Sequence, residues 1–154
     1  MVRVIIDTSI FAQILKKASR ARKLFYRISG IVPAYLIYEI RKKKEKISQF
    51  TRLPEENVLI VLDVLLELVE VIPEIDYLDK LAEAYEIAKE FDPKDTPFIA
   101  LALKLGVPIW TEDKKLIKYG FKSGKYLALD TRAIEELLKG RELGEVLEGL
   151  KKRI

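Results

Sequence analysis

Neither cysteine nor histidine occurs among the 154 residues. The first absence excludes disulfides and any thiolate zinc site. The second excludes Ser-His-Asp and Cys-His catalysis, the HExxH metalloprotease site and most zinc or copper centres. Chemistry must therefore rest on Asp, Glu, Lys, Arg, Tyr, Ser or Thr, and any metal must accept oxygen ligands. Long apolar runs are missing too. The richest stretch, Val58 to Ile72, contains Asp63, Glu67 and Glu70, so no membrane span is expected. The apolar stretch from Val2 to Ile6 is too short for a secretory leader and is broken by Arg3 and Asp7. A cytoplasmic location is the expectation. Neither a P-loop nor a GxGxxG fingerprint is present, so nothing marks a nucleotide-binding loop.

What the chain does contain is a core-forming apolar content of 49%, enough for one ordinary domain. No repeat or low-complexity linker divides it. A single domain over residues 1–154 is expected, with a core to about 130 and a helical tail from about 131. The net charge of +4 permits an anionic partner without demanding one.

Val2–Ile6 reads as a buried parallel strand, a β-branched run ending at Asp7. Further short strands are expected at Gly30–Pro33, Val71–Ile72, Pro108–Thr111 and Tyr126–Leu129. Helices are expected over Ile10–Ile28, Ala34–Lys46, a segment opening at Pro54-Glu55-Glu56, and Asp76–Phe91. Others follow at Thr96–Leu105, Lys114–Tyr119, Thr131–Lys139 and Glu142–Lys152, with Ser48–Leu53 as a loop. In Asp76–Phe91, Leu78, Leu81, Ala82, Tyr85 and Ala88 fall at helical spacing. The helix after Pro54 carries the nearly all-apolar Val58–Val69. Both of its sides should be covered, and a dimer contact is one way to cover them. Strands alternating with helices predict an α/β fold with a mainly parallel sheet covered on both faces. Ligands of such sheets bind beyond the carboxyl ends of the strands.

Four acids stand at positions of that kind. Asp7 follows the first strand, where it is either an N-cap or a ligand held by a rigid strand end. Asp95 ends Asp92-Pro93-Lys94-Asp95. A helix starting near Asp95 makes Pro97 harmless and aims Asp95 at the strand ends, leaving Asp92 as a turn or supporting residue. Asp113 follows Ile109-Trp110-Thr111-Glu112 and is favoured over Glu112, which points away if the strand persists. Glu39 lies on a helix one turn before Lys43, where a solvated ion pair is the ordinary outcome. Together the acids suggest an oxygen-ligand site for Mg²⁺ or Mn²⁺, which would permit phosphodiester hydrolysis without histidine.

The order of these motifs resembles the PIN-domain nucleases, whose small members include the VapC-type toxins. The matching residues are Asp7-Thr8-Ser9, Glu39, Asp95 with Ile99-Ala100-Leu101-Ala102-Leu103, and Thr111-Glu112-Asp113, with Gly106-Val107-Pro108 between the last two. The resemblance covers about residues 1 to 130. It implies a three-layer α/β/α sandwich and Mg²⁺- or Mn²⁺-dependent endoribonuclease activity. Asp7, Glu39, Asp95 and Asp113 would form the acidic site, supported by Thr8 or Ser9 and by Thr111. It further implies a homodimer and, for a toxin, a small antitoxin. The segment Arg41–Arg52 and the tail from Gly140 depart from the pattern, which leaves a stand-alone RNA-processing role open. Arg41, Lys42 and Lys43, with Lys114 and Lys115, are candidate RNA-backbone contacts or simply solvated faces. A haloacid-dehalogenase-like phosphatase also begins with a strand ending in Asp, but needs a second Asp where Ser9 stands. A PIN fold that binds RNA without cutting it is the non-enzymatic alternative.

Overall fold

A computed structural model describes residues 1–154. Its first strand, β1 (Arg3–Ile6), has Val4, Ile5 and Ile6 wholly buried, as a β-branched run covered on both faces requires. β1 is central. It pairs with β2 (Ser29–Pro33) on one side and β4 (Ile109–Trp110) on the other. β3 (Val69–Ile72) and β5 (Ala128–Leu129) complete a five-stranded, all-parallel sheet in the order β3-β2-β1-β4-β5. The chain builds outward through β1, β2 and β3, then returns to lay β4 and β5 on the far side of β1. That reversal makes the carboxyl ends of β1 and β4 the topological switch point.

Ten α-helices connect and cover the strands: α1 (Thr8–Leu15), α2 (Arg20–Phe25), α3 (Tyr35–Lys42), α4 (Lys44–Thr51), α5 (Glu55–Leu66), α6 (Leu81–Ala88), α7 (Thr96–Leu105), α8 (Lys114–Ser123), α9 (Thr131–Leu138) and α10 (Leu143–Arg153). Right-handed crossovers put α1 to α5 on one face and α6 to α8 on the other, giving an α/β/α sandwich. In α10, Val146 and Leu150 are buried in the same core as the sheet. The Arg153 guanidinium donates twice to the Asp130 carboxylate, at 2.8 and 3.1 Å. No helix is long and apolar enough to cross a membrane.

Three helical expectations are corrected. The expected helix Ile10–Ile28 is broken into α1 and α2 by a turn in which Ala18 takes φ 60°. Side chains stabilise the break: Ser19 Oγ donates to Gln13 O at 2.6 Å and accepts from Arg22 N at 3.0 Å. The Arg22 guanidinium donates to the freed carbonyls of Ile14 and Leu15. The segment Ser48–Leu53 is not a loop. A bend at Lys43 ends α3, and α4 continues to Thr51, where Arg52 closes it with φ 63°. Residues 76–91 are not one helix. Short 3₁₀ turns at Glu74–Asp76 and Leu78–Lys80 flank Tyr77, which is 1% exposed, and α6 begins only at Leu81. The buried face of α6 is Ala84 and Ala88, while Leu78, Ala82 and Tyr85 face out. Burial of the large Tyr77 ring overrides the local periodicity.

The all-apolar stretch expected to be covered on both sides is covered on one. Val58, Leu62 and Leu65 are buried, whereas Ile60 and Val64 on α5 and Leu68 just beyond it are 58–61% exposed. At the centre of the sheet packing is tight. A Cβ at Gly30 would lie 2.8 Å from Ile6 Cδ1 and 3.0 Å from Val69 Cγ1. Gly30→Val should therefore cost about 1–3 kcal/mol by overpacking, read as a lower midpoint in urea with an unchanged slope.

Candidate active site at the carboxyl edge of the sheet

Asp7 is the residue at which β1 ends and α1 begins. Its Oδ1 accepts the Ile10 amide at 2.8 Å and the Ser9 hydroxyl at 3.0 Å, so it caps α1. Asp113, three residues past β4, caps α8 through the amides of Lys115 (2.9 Å) and Leu116 (3.4 Å). Its own amide donates to Thr111 Oγ1 at 3.0 Å, and Thr111 is wholly buried. Asp92 caps the 3₁₀ turn Pro93–Asp95 by accepting the Lys94 amide at 3.0 Å. Asp95 stands at the N-terminus of α7 but makes no capping bond, and Pro97 falls harmlessly in the first turn. Its Oδ2 is buried with no hydrogen-bond partner.

Glu39 is not solvated. It shares the inward face of α3 with Leu36 and Ile40 and is 5% exposed. The Thr8 hydroxyl donates to Glu39 Oε1, tying α1 to α3. Lys43 Nζ lies 3.5 Å from Glu39 Oε2, so the expected ion pair forms, at the rim of the site rather than in open water.

These side chains line one cavity of about 170 Å³: Asp7, Thr8, Ser9, Glu39, Asp92, Asp95 and Asp113, with Lys43, Lys94 and Phe98. Five carboxylates thus face two lysines. Burial, offset in part by Thr111, Ile10 and Ser9 and reinforced by the Asp113 charge, raises the Asp7 pKa from 3.8 to about 6. Burial first, then the charges of Asp92, Asp113, Asp7 and Glu39, raises that of Asp95 to about 7. Of the sequence-level basic candidates only Lys43 lines the cavity. Arg41 and Lys42 are exposed on the last turn of α3, and Lys114 and Lys115 on the first turn of α8. Glu112 turns away, accepting the Thr131 amide at 2.6 Å. Lys94 and Phe98 were not singled out in sequence. Lys94 sits between two acids in a tight turn, which is the one signal that places it here.

No three acidic side chains converge closely enough to hold a metal ion between them as they stand. Asp7 and Asp113 are each turned back onto the helix they cap. The donor set nonetheless fits a hard divalent cation: every ligand candidate is oxygen, and Asp95 presents a buried carboxylate oxygen without a partner. Mg²⁺ needs only one or two direct carboxylates, others acting through its waters.

A parallel sheet with carboxylates gathered at its switch point defines the class of fold. The chain belongs to the PIN-domain family: the family model described as PIN domain matches residues 5–142. Membership places it among the nucleases. No curated protein matches it by sequence. Among solved structures, VapBC2 from Rickettsia felis, bound to a DNA fragment from its promoter, superposes with a TM-score of 0.62 at 13% identity, covering 84% of this chain and 98% of that one. PAE2754 from Pyrobaculum aerophilum superposes with a TM-score of 0.63 at 18% identity, covering 91% of each chain. At these identities the likeness is one of fold.

Folding raises both carboxyl pKa values, so between about pH 4 and 7 the folded chain holds more protons than the unfolded one. The stability this confers is fully present below pH 4 and is lost as pH rises through about 6 and 7, on the order of a few kcal/mol. In EDTA the melting temperature should accordingly fall between pH 5 and pH 8. Asp95→Asn should flatten that slope and melt above the parent at pH 8. A slope unchanged by the substitution would remove Asp95 as its source.

Proposed function

We propose that the chain is a Mg²⁺- or Mn²⁺-dependent endoribonuclease that hydrolyses RNA phosphodiester bonds, and that it serves as the toxin of a toxin–antitoxin pair. The observation that carries the reading is the carboxylate-lined cavity at the switch point, with the unpartnered Asp95 oxygen inside it. Asp7, Asp95 and Asp113 would hold the cation, which when bound lowers the pKa of a water and offsets charge on the phosphate. Glu39, braced by Thr8 and Lys43, orients water within the cavity. Ser9 and Thr111 fix Asp7 and the Asp113 backbone, and Asp92 fixes the turn carrying Asp95. Lys43 and Lys94 draw the phosphate in. Arg41, Lys42, Lys114 and Lys115 serve as outer backbone contacts, which makes binding weaken with salt. Residues 1–154 act as one domain, with α9 and α10 docked on the core.

Two partners complete the reading. The exposed stripe of Ile60, Val64 and Leu68 supports a homodimer through α5. The likeness to VapBC2 supports a small antitoxin partner.

Labelled single-stranded RNA should be cut in Mn²⁺ or Mg²⁺ and left intact in EDTA, while a phosphomonoester is untouched in either. Asp7→Asn and Asp95→Asn should each lower the cleavage rate by about 10²-fold or more, in the range seen when a group acting on the reacting charge is removed, with the fold retained by circular dichroism. Full cleavage by Asp7→Asn would overturn the mechanism, and binding without cleavage by the parent would make the fold a binder. In sedimentation, the double variant Ile60→Glu, Val64→Glu should run as a monomer where the parent runs as a dimer.

A further inference from the structure

A second cavity, of about 260 Å³, opens directly beside the acidic one. Thr8, Ser9 and Lys43 line both. From these shared residues the groove runs between α1 and α4, past Ala12 on one wall and Lys46 and Ile47 on the other, to Phe50. Thr8 and Ala12 are one turn apart on α1, and Ile47 and Phe50 lie on successive turns of α4 after Lys43, the residue from which α4 starts. Seven residues at a helical rise put Phe50 about 10 Å along the axis from Lys43.

The two cavities differ in charge. Five carboxylates line the first, while none lines the second, whose only charged residues are Lys43 and Lys46. Its far end is an aromatic ring left 47% exposed. Lys16 Nζ lies 5.0 Å from the centroid of that ring, yet Lys16 does not line the cavity. A half-exposed aromatic ring, apolar walls at Ala12 and Ile47, and two lysines along the groove suit a ligand that is flat and apolar at one end and anionic at the other. A nucleotide has that form, and the groove begins where a phosphate under attack must sit.

We propose that the groove between α1 and α4 seats an unpaired nucleotide of the RNA beside the scissile phosphate, its base stacked on Phe50 and its backbone held by Lys43 and Lys46. The inference rests on the ribonuclease reading above and narrows its substrate. A base that stacks on a side chain must leave its own helix, so the preferred substrate is single-stranded. Aromatic stacking is tolerant of base identity, which makes Phe50 a determinant of strandedness and register more than of sequence.

Two measurements test it. Oligoribonucleotides lacking the base at one position at a time are cut by the parent. One position near the cut should slow cleavage about ten- to hundred-fold, the range that loss of one stacked base produces. Phe50→Ala should slow the intact RNA by a similar factor and be indifferent to the missing base, and Phe50→Tyr should restore the parental pattern. Independently of catalysis, Phe50→Trp in EDTA should lose emission on binding intact single-stranded RNA, and not on binding the RNA that lacks the stacked base. The buried Trp110 of the parent is the reference. Parental rates for Phe50→Ala on every substrate overturn the subsite and leave the nuclease reading standing. If the parent cuts no RNA, the nuclease reading falls, and base-dependent quenching of Trp at position 50 decides the groove alone.

Discussion

Collecting like charges in one small space is the constraint on which this molecule turns. Five carboxylates line a small cavity, and burial and mutual repulsion raise the pKa values of Asp7 and Asp95. What lets them collect is the way the helices arrive. α1 and α8 begin at Asp7 and Asp113, which accept their first amides, and α7 begins at Asp95. Three helix N-termini, each with a partial positive charge, therefore point at one spot. Parallel strands produce this: α1 and α8, which directly follow β1 and β4, start at the sheet's carboxyl edge, and α7 starts there too because it runs back to the opposite edge to lead into β4. Capping, one of the two explanations the sequence leaves open for these acids, is what Asp7 and Asp113 do here. The cap fixes the carboxylate and the dipole offsets part of its charge.

The parts of the fold set by local chemistry were legible in the sequence. The β-branched run of β1, the Pro and acids opening α5, the placing of Pro97 and the Gly106 stop of α7 each carry their own local signal. Asp7, Asp95 and Asp113 were legible for the same reason, since each sits at a junction that local signals define. Glu39 was legible through the family resemblance alone, since its own surroundings in the sequence pointed to a solvated ion pair; its burial and its bond to the Thr8 hydroxyl, 31 residues away, belong to the tertiary structure. The break between α1 and α2 was hidden as well. It is held by Arg22 reaching back to two carbonyls, a contact that leaves no periodic trace. At Tyr77 the local pattern was misleading, because one large ring outweighed the spacing of smaller apolar residues around it.

The same reach of tertiary structure shapes the surface beside the site. Residues 48–51 complete α4; at its last turn Thr51 Oγ1 donates to Ile47 O at 2.7 Å, and Arg52 takes the left-handed backbone that ends it. The extra turn carries Phe50 into line with Lys43 and Ile47. A loop in its place would leave the ring without a fixed position relative to the carboxylates. The bend at Lys43, by changing the course of the chain between α3 and α4, lets one lysine serve both the acidic cavity and the groove.

The burial of Asp7 and Asp95 has a consequence for how the molecule exchanges protons. Histidine ordinarily dominates proton uptake between about pH 6 and 7, and this chain has none. The two side chains moved into that range lie on one edge of one sheet. Side-chain buffering near neutrality, elsewhere a property spread over a whole protein surface, is here concentrated in a single pocket. Counting protons released by the folded chain becomes a local probe, reporting the occupancy of the site without a label or a substrate.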